Sequence, residues 1–238
     1  MEKDYLQLLN EKVLNKSFAE VFDFMLELKL GKLAFSTSFG QEDQVLTDFI
    51  FKNNLEIDVF TLDTGRLFEE NYEIYQRTVK RYQKPIKSYF PESKKVEALL
   101  TEKGPFSFYE SVENRKECCN IRKVDPLQRA LRGVDLWITG VRGAQSYFRE
   151  KLKVFEFDSN FGILKFNPLI NWSLDEVERY LEEHNVPQNS LHKKGFPSIG
   201  CAPCTRAIED GEDFRDGRWW WENSEKECGL HQTNTSKI

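Results

Sequence analysis

Five cysteines carry the sharpest chemical signal in this chain: Cys118, Cys119, Cys201, Cys204 and Cys228. Four plus one is the count expected of a four-ligand metal site and one reactive thiol. Cys201-Ala202-Pro203-Cys204 is a CxxC in a Gly/Pro-rich loop, the setting of a metal knuckle. A redox dithiol is the rival reading. Such a pair follows a strand and opens a helix, whereas this one runs into Thr205-Arg206 and a charged, glycine-containing loop. Cys118 and Cys119 are adjacent on a predicted helix, where neighbouring side chains point about 100° apart. Zinc knuckles use wider spacing. The adjacent pair therefore favours a cubane iron–sulfur cluster, which takes two splayed thiolates at different irons. A buried, inert pair is the plain alternative.

Cys228 stands apart, in Lys226-Glu227-Cys228-Gly229-Leu230-His231. The segment is polar and reads as mobile, so a core role is disfavoured. His231 and Lys226 are placed to lower the thiol pKa and supply a thiolate nucleophile. An incidental surface thiol is the alternative.

Three polar turns could hold an anion. Ser36-Thr37-Ser38-Phe39-Gly40-Gln41-Glu42-Asp43 joins a strand to a helix, where free N–H groups and hydroxyls favour phosphate or sulfate. Neither the Walker pattern nor GxGxxG is present. Leu62-Asp63-Thr64-Gly65-Arg66 offers a glycine for close backbone approach and an arginine. Gly140-Val141-Arg142-Gly143-Ala144-Gln145-Ser146, with Arg149 beyond, offers two glycines and two arginines suited to bidentate oxyanion binding. Each turn alone could be an ordinary connection. Arg215-Asp216-Gly217-Arg218-Trp219-Trp220-Trp221-Glu222 adds two more arginines and three tryptophans, which read as loop anchors ahead of an adenine-stacking surface.

These groups need a frame. Residues 5–30 carry helical spacing on one apolar face (Leu6, Leu9, Val13, Phe18, Val21, Phe22, Met25). Strands are predicted at 32–37, 56–62, 86–90 and 135–141, with helices at 43–53 and 67–83 and helical patterns to about 132. Two short strands follow at 153–157 and 163–167. A helix over 173–184 is capped by Ser173 with Glu176 at the capping-box position. The alternation implies an α/β fold, a doubly wound and mainly parallel sheet. Ligands then sit at the carboxyl ends of the strands, which is where all three turns fall.

The bulk numbers agree. With 238 residues, 39% hydrophobic and 31% charged, the chain can bury a core without staples. A net charge of −5 disfavours nucleic-acid binding, so any anionic ligand must be held by a local cluster of Arg and Lys. The charged N-terminus lacks a signal-peptide pattern, and no run has the apolar length of a membrane span. A cytoplasmic, reducing setting is expected, which suits cysteines as ligands or nucleophiles.

Taken together, STSFGQED, LDTGRLF, RKECCNIRKVDPL, WITGVRGAQS, FNPL, NSLHKKGFPSIGCAPCTR, GRWWWE and KECGLH resemble the assimilatory adenylyl-sulfate reductases of the PAPS/APS reductase group. The resemblance runs from about residue 30 to 231. It implies an adenine-nucleotide α-hydrolase-like fold with a loop-rich C-terminal extension. One reductase domain would span 1–238, with a helical segment at 1–30, a nucleotide-binding core at 31–185, and the cluster loop and mobile catalytic tail at 186–238. It implies a [4Fe–4S] cluster on Cys118, Cys119, Cys201 and Cys204, with Lys123 near cluster and substrate. Ser36, Ser38, Gly40, Leu62, Gly65, Gly140 and Arg149 would line the nucleotide site. Arg142, Arg215, Arg218 and His231 would bind the phosphosulfate. Gly143 departs from the pattern, since relatives commonly carry a second Arg there.

The implied reaction is attack of Cys228 on the sulfur of adenylyl sulfate, loss of AMP, and release of sulfite by thioredoxin. Partners are thus a small nucleotide and thioredoxin, with no membrane; a homo-oligomer is compatible. Two other readings stay open within this fold: PAPS as main or additional substrate, and an ATP-pyrophosphatase-type ligase. The ligase reading is disfavoured because SFGQED replaces the SGGxDS loop such enzymes need. A zinc-stapled, non-enzymatic module is the third.

Overall fold

The computed structural model describes residues 3–147 and 149–222. The single helix expected over residues 5–30 is instead broken into two, α1 (Lys3–Lys12) and α2 (Phe18–Glu27). Asn15 adopts a left-handed φ of 60° between them, and Ser17 restarts the helix with a full capping box to Glu20. The following chain alternates β1 (Leu33–Ser36), α3 (Gln41–Lys52), β2 (Asp58–Leu62), α4 (Glu69–Tyr82), β3 (Lys87–Tyr89) and α5 (Ser93–Lys103). Helix α6 (Val112–Cys119) runs through a π-helical turn at Asn120–Val124 into α7 (Asp125–Ala130), then β4 (Leu136–Ile138). Strands β5 (Phe155–Asp158) and β6 (Ile163–Phe166) precede α8 (Leu174–Glu183).

The strands form one sheet in the order β3-β2-β1-β4-β6-β5. All neighbours are parallel except the β5–β6 hairpin at one edge. Successive side chains of a strand point to opposite faces, and here both faces are covered. Phe35, Val59, Leu136 and Ile138 join the large core under α2, α3 and α8. Their neighbours Ala34, Phe60 and Trp137 join a second core against α7. Burial on both sides explains why the strands read as continuous apolar runs.

The sheet order reverses at β1, which has β2 on one side and β4 on the other. The chain leaves these strands toward opposite flanks, so a crevice opens between their carboxyl ends. The polar turns after β1, β2 and β4 all lie at that edge. The capping box of α8 forms as expected, Ser173 accepting from the Glu176 N–H and Glu176 accepting from the Ser173 N–H at 2.7 Å.

Candidate functional site

The turn after β1 is tight and strained. Phe39 holds a left-handed φ of 61° while buried and stacked on Tyr75, a backbone state that a bulky residue keeps only when its surroundings fix it. The helix that follows starts at Gly40 with no side-chain cap, so its first N–H groups face the crevice. Asp43 in its first turn accepts from both the Ser38 N–H and the Ser38 hydroxyl at 2.6 Å. Burial pushes the Asp43 carboxyl up to about 6, against the pull of the Ser38 hydrogen bonds and the Arg149 guanidinium. Gly140 at the end of β4 lies so close that a Cβ would sit 2.2 Å from Asp43 Oδ1. Only glycine lets the end of β4 pack this closely on the first turn of α3.

The crevice is lined from the first turn by Ser36, Ser38 and Gly40, from the second by Leu62, and from the third by Gly140 and Arg149. Lys123, Arg215 and Arg218 complete its cationic side. Nine of the residues expected at the site thus share one cavity. Two do not line it. Gly65, at φ 70°, lies beneath Arg122, which donates to the Thr64 carbonyl at 2.6 Å. Arg142 is buried against Glu42 at 2.7 Å, so its charge is neutralised inside the wall. Cys228 and His231 lie outside the described residues. Gly143 donates to the Ile170 carbonyl at 2.8 Å, and a Cβ there would meet that oxygen at 3.1 Å. A long side chain has little room at this point.

Sequence reasoning passed over several cavity residues. Asn71 is buried and its Oδ1 has no hydrogen-bond partner among the described residues. His192 also lines the cavity, and burial lowers its pKa. In its neutral form Nδ1 donates to the Phe196 carbonyl at 3.0 Å, leaving Nε2 as a buried acceptor without a partner among the described residues. The presence of only three histidines was a usable signal for His192; Asn71 had none. The tryptophans divide as anchors: Trp219 is 1% exposed and Trp220 40%. None of the three lines the crevice.

Beside the crevice lies a second cavity, lined by Cys118, Cys119, Cys201 and Cys204. Cys118 and Cys119 end α6, where the π-helical turn widens the backbone. The CxxC loop is bound to the turn after β2 by the Ala202 N–H donating to the Arg66 carbonyl at 2.8 Å. Cys201 Sγ lies 3.2 Å from Thr64 Oγ1. Burial raises the Cys118 thiol and pushes Cys204 up to about 12, so these two thiols as such are neutral and a bound metal must displace their protons. Among the described residues, no three His, Cys, Asp or Glu side chains are grouped to hold a single ion. A four-thiol set is soft, as iron–sulfur clusters and zinc require. Two buried donors at its edge, Arg122 Nε and Trp219 Nε1, have no partner among the described residues. Inorganic sulfide or a thiolate is the acceptor such donors fit, so the residues suit a cluster.

Arg115, one helical turn before Cys118, is 2% exposed at its side chain and bonds Glu222 through Nε at 2.9 Å and Nη2 at 2.8 Å. Its guanidinium lies 4.8 Å from the Trp219 ring. Lys123 belongs to both cavities, a cation in the wall between the thiols and the crevice.

Residues 32–207 match the sequence pattern of the phosphoadenosine phosphosulfate reductase domain. A protein of Rhizobium meliloti (strain 1021) described as adenosine 5'-phosphosulfate reductase is 48% identical over 202 residues, covering 84% of this chain and 76% of the relative. One of the same description from Neisseria meningitidis serogroup B is 48% identical over 200 residues, covering 83% and 81%. The crystal structure of phosphoadenylyl-sulfate reductase from Candida auris superposes with a TM-score of 0.74 at 30% identity, over 87% of this chain and 98% of that one. Yeast FAD synthetase, at 18% identity and a TM-score of 0.52 over 86% and 66%, shares the fold.

Proposed function

The chain belongs to the phosphoadenosine phosphosulfate reductase domain family, and from that membership we propose that it reduces adenylyl sulfate to sulfite and AMP in sulfate assimilation. One observation carries this reading: Lys123 stands in the wall shared by a cationic nucleotide-sized crevice and a four-thiol cavity. The reaction consumes an anion and expels one. Lys123, Arg149, Arg215 and Arg218 converge where negative charge grows on the departing phosphate.

Cys228 is the proposed nucleophile. Its thiolate forms a bond to the sulfate sulfur, and the bond from that sulfur to the bridging phosphate oxygen breaks. AMP leaves with the electron pair, and a cysteine S-sulfonate remains. A thioredoxin thiolate then attacks Cys228 Sγ, sulfite leaves with the pair, and the second thiol resolves the mixed disulfide. The two electrons come from the dithiol. His231 and the arginines would hold the sulfate oxygens. Cys118, Cys119, Cys201 and Cys204 would hold a [4Fe–4S] cluster, which would supply fixed charge and a cross-link between α6 and the CxxC loop.

Relatives described as adenosine 5'-phosphosulfate reductases support the unphosphorylated nucleotide over PAPS. No helix among the described residues is long and apolar enough to cross a membrane, in keeping with the proposed cytoplasmic site.

The test is anaerobic purification with an iron count, then mass spectrometry after incubation with adenylyl sulfate. We expect about four irons, one AMP released per chain, and a sulfonate mapped to Cys228. The Cys228→Ser variant should bind AMP yet form no adduct. ATP-dependent pyrophosphate release without an adduct would favour the ligase reading. A kcat/KM for PAPS equal to that for adenylyl sulfate would overturn the substrate assignment.

A further inference from the structure

Three large aromatic side chains that a folded core would normally hide stand together in solvent. Phe106 is 60% exposed, Tyr109 39% and Trp220 40%. Their ring centroids are 6.2 Å apart from Phe106 to Tyr109 and 6.4 Å from Tyr109 to Trp220. The patch is mounted on the frame of the thiol cavity. The Tyr109 hydroxyl donates to the Pro203 carbonyl inside the CxxC at 2.6 Å. Arg66 donates to the Pro105 carbonyl at 2.6 Å, and its guanidinium lies 5.0 Å from the Phe108 ring behind the patch. Trp221 supports Tyr109 edge-on at 4.4 Å. Contiguous aromatic surface on a rigid base is the signature of a recognition site.

We propose that Phe106, Tyr109 and Trp220 form the docking surface for the protein dithiol that releases sulfite from Cys228. The inference rests on the reductase reading above. What selects the occupant is the position of the patch along the chain. Cys228 follows Trp220 by eight residues, so its Cα lies within about 29 Å of the Trp220 Cα however the intervening chain runs. A partner seated there has the S-sulfonate within that reach, while the nucleotide crevice, which none of the three rings lines, stays clear. Redox encounter interfaces are small, below about 1,200 Å² in all, and three rings with their proline rim are of that scale. A dithiol set in an apolar lip is the complementary surface. In the step it serves, the partner thiolate bonds to Cys228 Sγ, the bond from Sγ to the sulfonate sulfur breaks, and sulfite carries off the electron pair. The second partner thiol then displaces Cys228 and closes the partner's disulfide.

The experiment compares Phe106→Ser and Trp220→Ser with the wild type, with Tyr5→Ser on α1, 40% exposed, as control. Three quantities are read: single-turnover sulfonation of Cys228, sulfite release driven by dithiothreitol, and the KM for thioredoxin. We expect the KM to rise at least about tenfold, the scale of losing one aromatic anchor, with the first two rates and the control unchanged. An unchanged KM overturns the proposal. So does slowed sulfonation, which would make the patch a seat for the chain's own residues, and so does an altered sedimentation coefficient, which would make it a contact between copies. Failure of the wild type to form the adduct at all would sink the reductase reading and this surface with it.

Discussion

Asp43 shows how the site is built at the level of single residues. It is a carboxylate buried beside an anion site, and it occupies Ser38 donors that an anion would otherwise take. Its pKa is raised from an ordinary 3.8 to about 6, chiefly by burial. The folded state therefore binds this proton more tightly than the unfolded chain does. The stability it contributes is full below 3.8 and lost as pH rises through about 6. Asp43→Asn keeps an oxygen for Ser38 and removes the charge. It should stabilise the protein at neutral pH by up to about 3 kcal/mol, and the advantage should vanish near about pH 4. Thermal melts at the two pH values check this; an equal shift at both would assign the effect to packing.

At the scale of elements, the arrangement depends on contacts between segments far apart in sequence. Arg115 on α6 and Glu222 beyond the tryptophans are 107 residues apart, yet they form an ion pair 2% and 7% exposed. Breaking a buried pair from one side costs about 3–5 kcal/mol, against about 1 kcal/mol for an exposed helix cap such as Ser173. Glu222→Ala should therefore lower Tm several times more than Ser173→Ala, read by calorimetry on the two variants. Ser173 was legible from its S-x-x-E pattern, because a cap is a local device. The Arg115–Glu222 pair was not, because nothing in either neighbourhood names the other.

For the molecule as a whole, the thiol set would work as a cross-link in the proposed metal-bound form. Cys118 and Cys119 end one helix, Cys201 and Cys204 sit in a loop more than 80 residues later, and the metal they would share closes that long loop. Chelation under anaerobic conditions should lower the melting temperature and expose the segment around residues 105–120 and 200–222 to protease, while the sheet core over β1, β2 and β4 keeps its hydrogen-exchange protection. Uniform loss of protection would show that the metal holds the entire fold.

The sequence by itself determined most element types and the α/β class, and it singled out the four cysteines that line one cavity. These depend on local quantities: apolar runs, capping residues and the spacing of side chains along one helix or loop. It also brought six of the expected site residues, Ser36, Ser38, Gly40, Leu62, Gly140 and Arg149, to the crevice edge of the sheet, because strand ends and polar turns are written in order along the chain. What only the tertiary structure decided is which charges remain to face a ligand. Arg142 and Arg149 look alike in the sequence, but Arg142 meets Glu42 inside the wall while Arg149 lines the crevice. The break between α1 and α2, the π-helical turn after Cys119 and the cavity-lining Asn71 and His192 were settled at the same level. A charge or a buried polar atom is defined by what lies a few ångströms away, and at this sheet edge those neighbours come from segments separated by a hundred residues or more.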